Sequence, residues 1–266
     1  MIEIAIRRRG ASIYAFVFSL AAVIALAQGV RARGARPSLE ALNNSSNTVE
    51  KDPTLRFIVF GFVGGFIQHD NLVHSEVQLA ARLRKAYPSG VDVETFESYH
   101  GENAVKKILA LLDTDHDGTL TSSEKQNARI ILYGHSWGAS EAIAVARELD
   151  SHGIPVLLTV QVDSVSKFHQ NDAAIPGNVA QAANFFQPDG VIHGQSAIRP
   201  ADPARTKIIG NFRFGYKTSP YTCNEYPWYD RIFTKTHTQI ECDSKVWEQV
   251  EDLIRSNLPP AAGAAQ

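Results

Sequence analysis

The sequence has little imbalance of charge. Its 266 residues contain 26 Lys and Arg against 28 Asp and Glu, so the formal net charge is only −2. Because this balance leaves no sustained basic face, the composition argues against nucleic acid and anionic membrane surfaces as partners. A neutral or apolar small molecule, or a lipid, is the substrate class that fits this charge.

Cysteine is also scarce, with Cys223 and Cys242 as the two examples. An exported protein is free to join them, and the bridge would close a loop of about 20 residues and contribute roughly 3 kcal/mol in the chain-entropy model. Two free buried thiols are the alternative. We expect the disulfide.

The sequence begins with one long apolar run. Three arginines, Arg7 to Arg9, precede the apolar residues 11–27, which end in the small-x-small pattern Ala25-Leu26-Ala27. This layout predicts that residues 1–27 are a secretory signal peptide. The run of about 17 residues is at the short limit for a membrane span, so an uncleaved N-terminal anchor is the alternative. Either way we expect an extracytoplasmic protein, periplasmic, secreted or anchored, that meets the membrane only through this segment.

No internal repeat is present, and the length suits one main domain. Residues 28–53 are polar and aperiodic, which predicts a flexible lead-in. We expect the domain to cover residues 54–257 and residues 258–266 to form a disordered tail.

Within the domain, apolar runs alternate with helical patterns. Such alternation predicts an α/β fold with a mostly parallel sheet and helices on both faces. We predict strands over residues 55–62, 91–96, 129–134, 155–163 and 206–213, and helices over residues 74–87, 103–112, 138–150, 177–186 and 244–256.

The stretch Gly134-His135-Ser136-Trp137-Gly138 matches G-x-S-x-G. The string alone is weak evidence because glycine and serine are common. It gains weight from its place between a predicted buried strand and a predicted helix, where a sharp turn can hold a serine in a strained, projecting conformation. We predict that Ser136 is a nucleophile; a tight turn without chemistry is the alternative.

A serine nucleophile needs a base and a carboxylate that orients the base. Asp163 ends the strand after the predicted elbow, at the sheet edge where ligand sites of open α/β folds collect. His237 lies far towards the C-terminus and completes the order Ser, Asp, His. We predict Asp163 as the orienting acid and His237 as the base, with His193 as the alternative base.

The reaction also needs backbone N–H groups that stabilise an oxyanion. Trp137, the residue after the serine, would supply one of them. The second would come from Phe62 or Val63, in the glycine-rich stretch Gly61-Phe62-Val63-Gly64-Gly65-Phe66; the alternative is that these glycines only ease a turn.

An acidic loop, residues 113–124, precedes the serine motif. It matches D-x-D-x-D-G-x5-E, and the predicted calcium ligands are Asp113, Asp115, Asp117, the carbonyl of Thr119 and Glu124. Gathered carboxylates repel each other by about 1 kcal/mol per pair even in water, which favours a bound cation. We expect a structural calcium ion that holds the start of the strand leading to Ser136. A solvated acidic turn is the alternative.

Residues 55–256 resemble an α/β-hydrolase of the lipase or esterase kind. The resemblance rests on the motifs FGFVGGF, YGHSWGAS, VDSV and HTQIECD. The acidic loop resembles a single EF-hand-like calcium loop. The sequence departs from the usual family pattern in three ways: no histidine opens the first motif, the usual first strands are missing, and the acid follows the strand after the elbow, as in only part of the superfamily. The resemblance implies an α/β-hydrolase-like sheet reduced at its N-terminal strands.

The resemblance also implies a serine hydrolase that acts on carboxylic esters through Ser136, His237 and Asp163, with calcium as a structural cofactor. Two alternatives stay open. One is a non-catalytic, secreted calcium-binding module on a hydrolase scaffold. The other is a thioesterase, peptidase or acyltransferase that uses the same three residues.

Overall fold

The computed structural model describes residues 55–261. The predictions for residues 1–54, which include the signal peptide or anchor and the flexible lead-in, lie outside the described residues. So does most of the predicted C-terminal tail. Within residues 55–261, no helix combines the length and the apolar character that crossing a bilayer requires.

The first half of the domain alternates strands with helices. Three of its four strands are apolar and buried along most of their length, as expected for a sheet covered on both faces, whereas the edge strand over Val91–Glu97 alternates buried and half-buried residues. The elements are β1 (Arg56–Val63), α1 (Ser75–Ala86), β2 (Val91–Glu97), α2 (Gly101–Leu112), α3 (Ser122–Gln126), β3 (Ala128–His135), α4 (Trp137–Ser151) and β4 (Val156–Val162).

The second half has shorter elements and longer connections. It consists of β5 (Ala174–Ile175), β6 (Val179–Phe186), β7 (Arg199–Pro200), β8 (Lys207–Arg213), α5 (Trp228–Phe233), α6 (Lys235–Cys242) and α7 (Ser244–Arg255). A disulfide joins Cys223, before α5, to Cys242 at the end of α6. The bridge therefore ties together the segment that contains α5 and α6.

Six strands form the main sheet, in the order β2-β1-β3-β4-β6-β8, and every neighbouring pair is parallel. Strands β5 and β7 form a separate two-stranded sheet. The chain leaves β1 towards one edge of the main sheet and leaves β3 towards the other. The crevice at the carboxyl ends of β1 and β3 is therefore the switch point where ligands of open α/β folds bind.

Helices cover both faces of the main sheet. One core cluster combines α2 and α4 with β1 and β3, through residues such as Ile108 and Ile143. The other core cluster combines α1 and α7 with the opposite face, through residues such as Leu83 and Val250. The structure confirms the predicted fold class, an α/β-hydrolase-like arrangement with a mostly parallel sheet between two helical layers.

The helix predicted over residues 177–186 is wrong. These residues contain β6, which pairs with β4 on one side and with β8 on the other. Four alanines and asparagines in the run, Ala180, Ala182, Ala183 and Asn184, suggested a helix. Small side chains also suit a central strand buried under helices on both faces, and this tertiary environment outweighs the weak helix propensity.

Candidate active site

Ser136 lies in a sharp turn between the end of β3 and the start of α4. Its backbone has φ +56 and ψ −125, a conformation that L residues rarely adopt. The N–H of Ser136 donates to the carbonyl of Val162 at 3.0 Å, and its own carbonyl accepts from Val165 at 3.3 Å. Such strain costs about 1 to 3 kcal/mol and persists where the surroundings fix it. Here the neighbouring strand β4 and the residues after it fix the turn.

The two glycines of the turn are required by packing. A Cβ at Gly134 would lie 2.6 Å from the backbone of Gly138, and a Cβ at Gly138 would lie 2.1 Å from the carbonyl oxygen of Phe62. No side chain fits at these separations. The absence of side chains lets α4 begin directly against β1 and β3, and this close approach brings Ser136 to the edge of the sheet.

His237 and Asp163 complete a hydrogen-bonded chain with Ser136. Nε2 of His237 lies 2.9 Å from Oγ of Ser136, and Nδ1 of His237 lies 2.7 Å from Oδ2 of Asp163. The imidazole and the carboxylate are both buried. Asp163 follows β4, whereas His237 lies in the first turn of α6. The sequence did not indicate this helix, because it places His237 in a short polar stretch before α7.

The carboxylate of Asp163 is completely buried and well supplied with donors. Its Oδ1 accepts from the N–H of Gly194 at 2.7 Å and of Gln187 at 3.1 Å, and its Oδ2 accepts from Nε2 of Gln187 at 2.9 Å. Burial alone would raise the pKa of Asp163, but the hydrogen bond and charge of His237, helped by Gln187, outweigh it and lower the pKa. Asp163 is therefore held as a carboxylate.

This geometry suits proton transfer from the hydroxyl of Ser136. An ionised Asp163 accepts the Nδ1–H of His237, which leaves Nε2 unprotonated and facing Oγ of Ser136. The imidazole can then take the hydroxyl proton as the oxygen attacks an electrophile, and can return a proton to a leaving group. The alternative base, His193, is exposed, and its Nδ1 lies 3.2 Å from the carbonyl oxygen of Gly194.

The predicted oxyanion donors border the same turn. Trp137 is the first residue of α4, where backbone N–H groups have no acceptor within the helix. Phe62 and Val63 end β1, and Phe62 is in register with Gly134. In the loop that follows, a Cβ at Gly64 would lie 3.1 Å from Cβ of Ser136. The loop leaving β1 therefore passes directly beside the serine.

Exposed aromatic side chains lie next to this crevice. Phe66, which is 81% exposed, packs edge-on against Trp137 with the ring centroids 5.5 Å apart, and also lies near Tyr99. The helix before His237, α5, has no buried residue and exposes Trp228 and Phe233. Large apolar side chains left in water in this way commonly mark binding surfaces.

The acidic loop lies at the other end of β3. Oxygens of Asp113, Asp115 and Glu124 are all within 4.8 Å of one another. Asp117 lies outside this group, and its Oδ1 accepts from the N–H and hydroxyl of Thr119. The carboxylate of Glu124 accepts from the N–H and hydroxyl groups of Thr114 and Thr121. These hydrogen bonds lower the pKa of Glu124 to about 2, led by those from the backbone N–H of Thr121 and Thr114.

Several residues that surround the candidate site could not be identified from the sequence. Gln187 and Gly194, which hold Asp163, follow β6 in a loop without a recognisable motif. The buried acidic residue Glu76 lies in α1, where a single acidic residue in a helical pattern usually indicates an exposed face, and the buried Glu241 lies in α6, the helix that the sequence did not indicate. Nothing in the local sequence marks either group, because contacts between distant segments create their environments.

No protein-family model and no curated protein matches the chain. Solved structures do resemble it. They include a cutinase-like protein from a Cryptococcus species (10% identity, 79% of this chain and 98% of that one, TM-score 0.39). An acetylxylan esterase matches at 15% identity over 77% of this chain and 100% of that one, TM-score 0.37.

A dienelactone hydrolase-like promiscuous phosphotriesterase from metagenomic libraries is a further match, with 14% identity over 77% of this chain and 88% of that one and a TM-score of 0.40. At these identities and TM-scores, the comparisons carry no argument about the activity of this chain. The functional argument therefore rests on the geometry around Ser136.

Proposed function

We propose that the protein is a serine hydrolase that acts on carboxylic esters. In this proposal Ser136 attacks the ester carbonyl, His237 accepts and returns the proton, and Asp163 orients His237. The attack forms an acyl-enzyme and releases the alcohol; water then attacks the acyl-enzyme and releases the acid. Backbone N–H groups of Trp137 and of Phe62 or Val63 stabilise the oxyanion of each tetrahedral intermediate.

One observation carries the proposal: the hydrogen-bonded chain from Oγ of Ser136 to Nε2 of His237, and from Nδ1 of His237 to Asp163, at 2.9 and 2.7 Å. It starts from a serine in a strained turn with φ +56. A turn without a catalytic role does not require a strained serine next to a buried imidazole and a buried carboxylate. The combination supports nucleophilic catalysis over the simple tight turn.

The exposed aromatic side chains support an ester with an apolar part. Phe66 and Trp137 lie beside the crevice, and no excess charge would attract an ionic substrate. An apolar acyl or alkyl group can pack against these rings while the ester carbonyl reaches Ser136. We therefore propose a small-molecule or lipid ester as the substrate.

The test is labelling of the full chain with a fluorophosphonate probe, followed by intact mass and peptide mapping. We expect one label per chain at Ser136. We also expect S136A to lose the label and to lower kcat on a nitrophenyl ester by at least about 10⁴-fold, because the nucleophile is removed. S151A, at the exposed end of α4, is the matched control and should keep wild-type labelling.

An ester, a thioester and a peptide with the same acyl group separate the alternatives. We expect the ester to have the highest kcat/KM. Faster turnover of the thioester or peptide would contradict the proposed substrate class but keep the serine mechanism. Absence of labelling in wild-type protein would contradict the enzyme itself and favour the non-catalytic calcium-binding module.

We propose an extracytoplasmic location, with residues 1–27 as a signal peptide or anchor. The disulfide between Cys223 and Cys242 supports this location, because such bonds persist in oxidising compartments and are rare in the cytosol. Its reduction would free the segment around α5 and α6, which includes His237.

We propose that the acidic loop binds a structural calcium ion, and the donors present fit one. Oδ1 of Asp113 is buried without a hydrogen-bond partner among residues 55–261, and Asp113 belongs to the group of three carboxylates within 4.8 Å. Gly118, at the sixth position, has φ +83, which allows the sharp turn that such a loop needs. Asp117 and the carbonyl of Thr119 are the remaining proposed ligands. Oxygen donors of this kind suit a hard cation such as calcium.

A further inference from the structure

A second group of ionisable side chains is buried directly behind the Ser136 site. It consists of His74, Glu76, His135 and Glu241, and we name it the His–Glu cluster. His74 caps the start of α1, Glu76 lies in the first turn of α1, His135 ends β3, and Glu241 lies in α6. None of the four is more than 6% exposed.

The four side chains converge. Nδ1 of His74 lies 2.5 Å from Oε1 of Glu241, and Nδ1 of His135 lies 3.4 Å from Oε2 of the same carboxylate. Donor atoms of His74, Glu76 and Glu241 are all within 4.8 Å of one another. One imidazole and two carboxylates therefore surround one small volume in the protein interior, and the imidazole of His135 borders it beside Glu241.

Several atoms of the cluster have no hydrogen-bond partner in the part of the chain that the structure describes. Both carboxylate oxygens of Glu76, which is completely buried, and both ring nitrogens of His135 lack a hydrogen bond of normal geometry within residues 55–261. No lysine or arginine in that range forms an ion pair with Glu76 or Glu241. Leaving a buried carboxylate unpaired costs several kcal/mol, so a cation beside Glu76 would be stabilising.

We propose that the His–Glu cluster is a structural zinc site, in which His74, Glu76 and Glu241 bind one Zn²⁺ ion and His135 supplies the fourth donor. Two imidazole nitrogens and two carboxylate oxygens form a donor set that zinc accepts in tetrahedral coordination. The two imidazoles argue against calcium and magnesium, which select oxygen ligands.

The spacing fits a tetrahedral ion. Zinc bonds of about 2.0 to 2.2 Å place neighbouring ligand atoms about 3.4 Å apart. The donor atoms of His74, Glu76 and Glu241, from 2.5 Å to within 4.8 Å apart, lie on both sides of this value. His135 is outside this group of three, and its Nδ1 lies 3.4 Å from Oε2 of Glu241. Small side-chain rotations would bring the donors onto one ion, which would replace the hydrogen bond between His74 and Glu241.

The proposed ion would connect the elements that carry the candidate catalytic residues. Glu241 lies one turn after His237 on α6, and His135 immediately precedes Ser136. The rings of His135 and His237 lie with their centroids 4.4 Å apart. With four protein donors the site is closed, so the ion would position α6 and the serine turn and would not contact substrate.

The experiment measures metal binding by the full chain and does not depend on its activity. Protein freed of metal by a chelator is titrated with Zn²⁺ in the presence of about 1 mM Ca²⁺, which occupies the acidic loop. We expect one Zn²⁺ per chain with a dissociation constant of about 10⁻⁷ M or lower. X-ray absorption should show only nitrogen and oxygen ligands, with imidazole scattering.

Two isosteric variants, E76Q and E241Q, should each weaken zinc binding by at least about 100-fold, because a neutral amide replaces a charged ligand. Circular dichroism checks that they fold. H152A is the matched control: it removes an exposed histidine that pairs with Glu148 at 3.5 Å, and it should keep wild-type affinity.

Wild-type protein that binds no Zn²⁺ tighter than about 10⁻⁴ M would overturn the proposal. So would unchanged affinity in folded E76Q and E241Q, which would assign the zinc to another site. If either variant does not fold, the absorption spectrum of the wild type decides: a bound zinc without imidazole ligands would equally contradict the assignment to the His–Glu cluster.

Discussion

The two ends of β3 hold two groups of acidic side chains in opposite surroundings. At the amino end, the acidic loop gathers its carboxylates from twelve consecutive residues, most of them exposed. At the carboxyl end, Asp163, Glu76 and Glu241 come from three different elements and are buried. The first group meets water and nearby backbone N–H groups, whereas the second meets only what the fold places beside it.

This difference in burial indicates which substitutions should be costly. An exposed carboxylate that loses a partner regains water, so the effect is small. A buried carboxylate that loses a partner has no substitute, and removal of one member of a buried pair typically costs 3 to 5 kcal/mol. We therefore expect large effects from substitutions at the carboxyl end of β3 and modest effects from those at the amino end.

The largest effect after loss of the serine itself should come from D163N. The amide cannot hold His237 with its Nε2 unprotonated, so we expect kcat on a nitrophenyl ester to fall by about 10⁴-fold. D172N is the control, since Asp172 is another completely buried aspartate that follows β4 but accepts from Ser164 and Ser166. Its kcat should stay within a few-fold of wild type. A loss below tenfold in D163N would remove Asp163 from the mechanism.

The effect of D163N on stability should also depend on pH. The pKa of Asp163 is below its ordinary value of 3.8 because the hydrogen bond and charge of His237 outweigh the opposing effect of burial. In the pH range below 3.8 the unfolded chain binds more protons than the folded protein, so this stabilisation is present above 3.8 and is lost as the pH falls. Urea unfolding should show the stability difference between wild type and D163N shrinking below that pH.

Glycine substitutions compare the packing at the two ends directly. In G138A the new Cβ would meet the carbonyl of Phe62 at 2.1 Å, and we expect unfolding free energy to fall by about 3 kcal/mol, although alanine favours a helix. In G118A no atom of the described residues lies within 4 Å of the new Cβ, so only the backbone strain at φ +83 opposes the substitution, at a cost of about 1 kcal/mol.

Chemical denaturation of both variants checks this order. The control is G177A, where the nearest side-chain atom would be 3.6 Å from the new Cβ and the change should stay within about 0.5 kcal/mol. Equal losses in G138A and G118A would contradict the view that close packing is confined to the carboxyl end.

Local sequence signals were sufficient for most of the fold. The alternation of apolar and helical patterns predicted β1 to β4 and the helices between them, apart from the five-residue α3, because period and burial agree there. The serine turn and the acidic loop were visible because each is contiguous. The prediction failed at β6, where small residues such as Ala182 and Ala183 satisfy either a helix or a central strand and only the neighbours β4 and β8 decide.

The His–Glu cluster was not predictable from the sequence. His74 and Glu241 are 167 residues apart, and each taken alone is an ordinary polar residue near a helix. They form a cluster only because the fold brings α1, β3 and α6 together at one edge of the sheet. The same holds for Gln187 and Gly194, which support Asp163 from a loop without a motif. A motif can be recognised when its chemistry is local, and these sites are not local.

The smallest effect should come from calcium at the acidic loop. Calcium at about ten times its dissociation constant should stabilise the folded protein by about 1.4 kcal/mol, and chelation should lower Tm by a few degrees. D115N should lose this response, since Asp115 is one of the three carboxylates within 4.8 Å. D150N, an exposed aspartate at the end of α4, should keep it. Differential scanning fluorimetry with calcium, magnesium and chelator measures each shift.

Activity separates this ion from the Ser136 site. The loop joins α2 to the start of β3, whereas Ser136 follows the other end of this strand. Calcium should therefore change the melting temperature, but kcat measured well below the melting temperature should stay unchanged. A chelator that lowers kcat without lowering Tm would contradict the structural role. If neither calcium nor the chelator changes Tm, the loop is a solvated acidic turn that is held by the hydrogen bonds of Glu124 to Thr114 and Thr121.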